Sequence, residues 1–136
     1  MSKAFLDTNI LAYAADSATP DKQGLARQLI RRLSEEGALC LSTQVHQEFY
    51  VTATRKLGID PLRAKDILQT LRHMETAVVE PDDVIRAVDG SVAWQLSFWD
   101  ALILVAARKL NCAVLYTEDL SNDQIFDGVR VVNPFE

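Results

Sequence analysis

Four acidic residues stand either just after short apolar runs or in the first two turns of predicted helices. They are Asp7, Glu48, Asp100 and Asp119. Asp7 directly follows the first run, and Asp119 comes three residues after the last run but one. If the runs are parallel strands, their carboxyl ends share the edge of the sheet where α/β proteins bind ligands. We therefore expect the four carboxylates to converge at that edge.

A convergence of carboxylates has a direct physical consequence. Negative charges a few ångströms apart repel one another, so either some of the acids are protonated or a cation lies among them. Oxygen ligands without thiolate or clustered imidazole favour Mg²⁺ or Mn²⁺ over zinc. Such an ion can activate a water and stabilise a leaving oxygen. Hydrolysis of a phosphodiester is the reaction that this set of residues predicts.

Each acid also has a structural explanation. Asp7 could cap the helix that follows it, and Asp100 fits a capping box. Glu48 could lie beside an apolar stripe and reach solvent. Asp119 could be a turn residue, with Glu118 as the competing acid. Singly, each placement is more often structural, but four acids from distant parts of the chain on one predicted edge favour a functional site.

Short apolar runs alternate with segments of helical periodicity along the whole chain. Strands are predicted at residues 4–6, 38–41, 76–79, 113–116 and 129–132. Helices are predicted over 9–15 and from starts at Thr19-Pro20, Ser42 or Thr43, Asp60-Pro61, Pro81 and Ser97. This alternation predicts a three-layer α/β domain with helices on both faces of a mostly parallel sheet of about five strands.

The composition fits one folded domain. The chain has 136 residues, of which 49% are hydrophobic, and a formal net charge of −5. A domain of this length buries roughly two-thirds of its unfolded surface, enough for a core without disulfides or structural metal. The acidic balance disfavours a protein that grips nucleic acid by charge alone, but it allows an enzyme that cuts nucleic acid at a metal-filled site.

The location signals point to the cytoplasm. Cys40 and Cys112 lie among aliphatic residues and no CxxC motif is present, which predicts buried free thiols in a reducing compartment. The longest apolar run is seven residues, 101–107, far short of the roughly 20 that a membrane span needs. Asp7 interrupts the opening stretch before the apolar region of a secretory signal can form. We expect no membrane association.

A phosphoacceptor receiver domain is an alternative from another functional class, because it also gathers acids around Mg²⁺. It would need an Asp after the third strand and a Lys after the fifth. Here Glu80-Pro81 follows the third strand and Asn133-Pro134 follows the last. These residues disfavour a receiver.

Four segments around the acids carry a resemblance to a known family. They are Phe5-Leu6-Asp7-Thr8-Asn9-Ile10-Leu11, Gln47-Glu48-Phe49, Phe98-Trp99-Asp100-Ala101-Leu102-Ile103 and Leu115-Tyr116-Thr117-Glu118-Asp119-Leu120. In order and spacing they resemble the PIN-domain family, and more closely its VapC-type toxin ribonucleases from bacterial toxin–antitoxin pairs. The resemblance runs over essentially the whole chain.

The resemblance implies a metal-dependent endoribonuclease with a PIN-like fold. By the family pattern, Mg²⁺ or Mn²⁺ would be held by Asp7, Glu48, Asp100 and Asp119. Asn9 and Thr117 would orient ligands or water, with Thr8 as a further supporting residue. Glu118 does not occupy the usual acid position of the family, although it could assist.

The same resemblance implies partners. Family members act on RNA, typically form homodimers, and are inhibited by a small antitoxin whose basic tail enters the acidic groove. An Arg side chain can satisfy the carboxylates that otherwise bind the metal. Two alternatives stay open: a PIN-like protein-interaction module without chemistry, and a stand-alone PIN nuclease without an antitoxin.

Basic and aromatic side chains offer further candidates for RNA contacts. The basic residues fall in three pairs near predicted helix ends: Arg31-Arg32, Arg55-Lys56 and Arg108-Lys109. Interaction with the helix dipole accounts for each pair, and a contact with RNA phosphates is a further option. Trp94, Phe98 and Trp99 surround the start of the Asp100 helix, and we interpret them as core or dimer contacts rather than base-stacking platforms.

Overall fold

The computed structural model describes residues 2–136, which form six helices and six strands. In chain order these are β1 Ala4–Leu6, α1 Thr8–Ala15, α2 Pro20–Glu35, β2 Leu39–Ser42, α3 Thr43–Arg55, α4 Pro61–Leu71, β3 Glu75–Ala77, α5 Pro81–Trp94, α6 Phe98–Lys109, β4 Val114–Tyr116, β5 Ile125–Phe126 and β6 Val129–Val132. The predicted mixed α/β architecture is confirmed.

The strands form one mostly parallel sheet in the order β3-β2-β1-β4-β6-β5. Only β5 is antiparallel to its neighbour, β6. β1 lies inside the sheet, where Phe5 pairs with Cys40 of β2 on one side and with Leu115 of β4 on the other. The chain builds the sheet outward from β1 in both directions. The strand order therefore reverses at β1, and α/β sheets open a ligand crevice at such a point.

The sheet has six strands rather than about five. The additional strand, β5, has only two residues, too short for a hydrophobic period to reveal. It forms a hairpin with β6 across Asp127 and Gly128, whose φ values are 48° and 85°. Asp-Gly favours the left-handed conformations that tight hairpins require. That dipeptide was the sequence signal for the missed strand.

Helix α6 is buried on all sides along much of its length. Its residues 101–107 are all buried, because the helix contacts the sheet and also packs against α5. This position explains the seven-residue apolar run, since a helix that is hydrophobic all round lies inside a protein or a membrane. In residues 2–136 no single helix is long and apolar enough to cross a bilayer; α5 and α6 reach that length and composition only together, across a bend of 115°.

Candidate metal centre at the carboxyl edge of the sheet

Asp7 joins the central strand to the first helix without a loop. Its backbone N–H donates to the carbonyl of Tyr116 at 3.0 Å, so it continues the pairing of β1 with β4. Its side chain caps α1, because Oδ1 accepts from the Thr8 N–H at 2.7 Å. Oδ2 accepts from the Thr117 hydroxyl at 2.8 Å. The capping role is therefore confirmed, and the same carboxylate also faces the ends of β1 and β4.

Burial makes Asp7 the most perturbed acid at this edge. The residue is only 6% exposed, and loss of solvent raises its pKa from 3.8 to about 7. The hydrogen bonds from Thr117 and Thr8 act in the opposite direction, and the nearby charges of Asp119 and Glu48 raise the pKa further. A cation beside Asp7 would favour its ionised form.

Thr117 links Asp7 to Asp119. Its buried hydroxyl donates to Asp7 and accepts from the backbone N–H of Asp119 at 3.1 Å. It also accepts from Nδ2 of Asn9 at 3.1 Å. The same Asn9 nitrogen donates to Oδ2 of Asp119 at 3.0 Å. These bonds use the full capacity of the hydroxyl, and they fix the two carboxylates relative to each other.

Asp100 completes a group of three acids. It lies in the first turn of α6, where its backbone N–H donates to the Ser97 hydroxyl at 3.1 Å. Carboxylate oxygens of Asp7, Asp100 and Asp119 lie within 4.8 Å of one another. Burial raises the pKa of Asp100, and the neighbouring Asp119 and Glu48 charges add to that effect. One divalent cation could bind an oxygen from each of the three.

Glu48 lines the same cavity as these acids but stands outside the group of three. Its Oε1 accepts from the Thr8 hydroxyl at 2.7 Å, and its Oε2 accepts from Nε2 of Gln44 at 3.3 Å. The structure thus brings all four predicted acids to one cavity and three of them into close contact. Thr8 also lines the cavity, and it contacts Glu48 through its hydroxyl and Asp7 through its backbone N–H.

The cavity has a volume of about 820 Å³ and is built mainly from α1, α3 and the first turns of α6. Two of its neutral oxygens, Oδ1 of Asn9 and Oε1 of Gln44, are buried and have no hydrogen-bond partner in the described chain. Carboxylate and amide oxygens are the ligands that Mg²⁺ and Mn²⁺ prefer. The donor set therefore fits a hard divalent cation.

Gln44 was missed by sequence reasoning. It lies four residues before Glu48 on α3, and its side chain also donates to the Trp99 carbonyl at 3.2 Å. It therefore connects α3 to the start of the Asp100 helix. The helical spacing from Glu48 was the available signal.

Glu118 points away from the three acids. Its Oε1 accepts from the Tyr13 hydroxyl, and its Oε2 pairs with Nζ of Lys22 at 2.9 Å. Burial acts to raise its pKa, but the bonds from Tyr13 and Lys22 outweigh burial and hold the pKa below its ordinary value. Glu118 thus ties the end of β4 to α1 and α2, and it is not one of the three clustered acids.

The aromatic residues near Asp100 differ in their surroundings. Trp94 is half-buried and packs edge-on against Phe126. Phe98 packs edge-on against Trp99. Trp99 itself is 61% exposed and lines the acidic cavity. A core role for Trp99 is therefore wrong, whereas the dimer contact stays a prediction.

The fold and the site together define an α/β protein with a mostly parallel sheet and carboxylates clustered at its topological switch point. The profile of the PIN domain matches residues 4–125. The chain belongs to the PIN-domain family.

Solved structures of PIN proteins share this fold. A toxin–antitoxin complex from Klebsiella pneumoniae aligns with a TM-score of 0.72 at 21% identity, over 98% of this chain and 99% of that chain. The DNA-bound VapBC from Salmonella typhimurium aligns with a TM-score of 0.68 at 18% identity, over 96% of this chain and 97% of that chain. VapC20 of Mycobacterium tuberculosis, described as a sarcin-ricin loop cleaving toxin, aligns with a TM-score of 0.64 at 21% identity, over 83% of this chain and 87% of that chain. A search of curated proteins found no match.

Proposed function

We propose that this PIN protein is a metal-dependent endoribonuclease of the VapC type, the toxin of a toxin–antitoxin pair. The observation that carries the proposal is the contact of Asp7, Asp100 and Asp119 within 4.8 Å at the carboxyl edge of the sheet. One of these acids is buried and has a pKa near 7. Strongly perturbed carboxylates clustered in a cleft are typical of catalytic sites.

The three clustered acids would hold Mg²⁺ or Mn²⁺. When bound there, the ion supplies positive charge that lowers the pKa of water and stabilises the oxygens of a phosphodiester during hydrolysis. Thr117 and Asn9 keep Asp7 and Asp119 at a fixed separation. Because a carboxylate has more acceptor sites than its two bonds use, Glu48 can also accept a hydrogen bond from water and orient it at the edge of the cluster.

The helix cap does not by itself account for an acid at position 7, because Asn caps a helix as well as Asp does. Ionising a carboxylate out of solvent costs free energy, and Asp7 bears that cost at neutral pH. A protein-interaction module without chemistry would be more stable with an uncharged residue there. This observation favours the nuclease over the module.

RNA as the substrate and an antitoxin as the partner rest on the relatives. VapC20 is described as cleaving the sarcin-ricin loop, and two of the similar structures are toxin–antitoxin or VapBC complexes. The cavity suits a basic antitoxin segment, since an Arg guanidinium can form paired hydrogen bonds with the carboxylates that hold the metal. An antitoxin distinguishes this proposal from a stand-alone nuclease.

A homodimer is supported by the outer face of α5. Ile85, Val88 and Val92 are exposed there at helical spacing, and an apolar stripe open to solvent is typical of an interaction surface.

The buried free thiols of Cys40 and Cys112 suit a reducing cytoplasm.

The test is cleavage of structured RNA by the purified protein with Mg²⁺ or Mn²⁺. We expect cleavage that stops with a chelator and falls by at least about a hundredfold in Asp7→Asn and Asp119→Asn. Asp66→Asn is the matched control, because Asp66 is exposed on α4 and lies outside the cavity. Full activity in Asp7→Asn, or equal activity in the presence of chelator, would refute the proposal.

A further inference from the structure

The acidic cavity presents an electrostatic problem for a polyanionic substrate. Six acids line it: Asp7, Asp16, Glu48, Asp100, Glu118 and Asp119. Cations held at the clustered acids can compensate one phosphate, but an RNA strand carries further phosphates on both sides of the cut. Proteins usually meet those phosphates with Lys or Arg. The wall of the cavity is therefore the place to look for such a residue.

Lys56 is the only Lys, Arg or His among the described residues that line this cavity. It is exposed, and its ammonium makes no hydrogen bond or ion pair within residues 2–136. Lys22 does not line the cavity, and its ammonium is already paired with Glu118 at 2.9 Å. Lys56 is thus the cation that remains available to a ligand in the cavity.

The position of Lys56 follows from helix α3. Gln44, Glu48, Thr52 and Lys56 recur every four residues, so they follow one another along the wall of the cavity. Eight residues at a rise of 1.5 Å place Lys56 about 12 Å along the helix axis from Glu48. At 3.6 residues per turn, Lys56 therefore lies about two turns of α3 beyond Glu48 on the same wall, and it is not a member of the group of clustered acids.

The neighbouring Arg55 shows that the helix dipole does not explain this placement. Both residues lie at the C-terminal end of α3, where the dipole favours either cation. Only Lys56 lines the cavity, and Arg55 faces solvent outside it. The two members of the basic pair are therefore a natural comparison.

We propose that Lys56 is a substrate-binding residue whose ammonium contacts a phosphate flanking the scissile one and holds the RNA strand along α3. The proposal rests on the proposed nuclease function and adds the path of the substrate. Because a lysine–phosphate contact carries no base information, Lys56 would strengthen binding of all sequences alike. Such uniform binding lowers KM without changing kcat.

The first test measures RNA binding without cleavage. A fluorescein-labelled single-stranded RNA is titrated with Asp7→Asn protein in Mg²⁺ at several salt concentrations, and anisotropy is recorded. Adding Lys56→Ala should weaken binding about tenfold at low salt and reduce the slope of log K against log salt by about 0.7. Lys56→Arg should restore both, and Arg55→Ala should change the affinity by no more than about twofold.

The second test uses the active protein. Lys56→Ala should raise KM about tenfold and leave kcat within about twofold. A loss of kcat at unchanged KM, an unaltered salt slope, or an equal effect of Arg55→Ala would overturn the role of Lys56. Such results would leave metal-dependent cleavage by the parent protein intact. Absence of RNA binding and cleavage in the parent protein would instead overturn the proposed function, and with it this inference.

Discussion

Replacing Asp7 by Asn should make the metal-free protein less sensitive to pH. Asn caps helices as well as Asp does, and its side-chain oxygen can still accept from the Thr8 N–H, although its amide nitrogen cannot accept from the Thr117 hydroxyl as Oδ2 of Asp7 does. The substitution removes the charge at nearly constant shape. It therefore isolates the cost of ionising a buried carboxylate.

The size of the effect follows from the pKa. An acid whose folded pKa lies above its unfolded value destabilises the folded state as pH rises between the two values, because the folded protein then holds the extra proton. For Asp7 the window runs from 3.8 to about 7. At 1.36 kcal/mol for each tenfold change in proton affinity, the Asp7 carboxyl should lower the free energy of unfolding of the unsubstituted protein by roughly 2–3 kcal/mol between pH 5 and pH 8. Asp7→Asn should not incur this loss.

The assay is urea unfolding of both proteins at pH 5 and pH 8 with a chelator present. Comparing the two pH values cancels changes in hydrogen bonding that do not depend on protonation. Adding Mn²⁺ at pH 8 should then stabilise the native protein in proportion to RT ln(1 + [Mn²⁺]/Kd) and leave Asp7→Asn almost unchanged. Parallel pH dependence in the two proteins would refute the assignment of a buried, ionisable Asp7.

Three further substitutions test the surroundings of the acidic site and a separate cavity that residues of α5 and α6 line. Thr117→Val removes the hydroxyl that joins Asp7, Asn9 and Asp119. The affinity for Mn²⁺, measured by electron paramagnetic resonance, should therefore fall about 10–100-fold. Thr117→Ser keeps a hydroxyl and should restore that affinity. Lys109→Met removes the 2.7 Å ion pair of Asp83, whose side chain is 5% exposed. The free energy of unfolding should therefore fall by about 2 kcal/mol at pH 7. Arg108→Met is the control, because it removes only an exposed ion pair. Since Lys109 and the Glu80 N–H hold the pKa of Asp83 below its ordinary value against the effect of burial, that difference should shrink as pH falls through 4, and a constant difference would contradict the pairing. Gly90→Ala should lower the free energy of unfolding by about 1 kcal/mol, although Ala has the better helix propensity, because the new Cβ would lie 2.6 Å from the Trp94 ring. A gain in melting temperature would contradict this and show that the Trp94 side chain moves aside at little cost.

The sequence was most informative where one physical constraint dominated. Parallel strands buried on both faces are apolar throughout, so β1, whose three residues are all buried, could be found from a short apolar run. The positions of Asp7 and Asp119 followed from the rule that segments after parallel strands share one edge, whereas Asp100 was placed there from the start of its helix, which follows α5 and not a strand. Both inferences need only the local pattern and the alternation of elements.

The remaining features depend on side-chain directions that a linear pattern does not contain. Adjacent acids 118 and 119 separate because Glu118 finds Tyr13 and Lys22, whereas Asp119 finds Asn9. Arg55 and Lys56 carry the same charge, and only the phase of α3 decides which one lines the cavity. The exposure of Trp99 likewise depends on how α6 begins, not on the hydrophobicity of the residue.

The three clustered acids come from opposite parts of the chain, and this has a consequence for protein synthesis. Asp7 leaves the ribosome 93 residues before Asp100 and 112 residues before Asp119. The pocket closes when β4 pairs with β1 and carries Thr117 to Asp7. A nascent chain therefore cannot assemble this centre beside the translating ribosome until residue 119 has emerged.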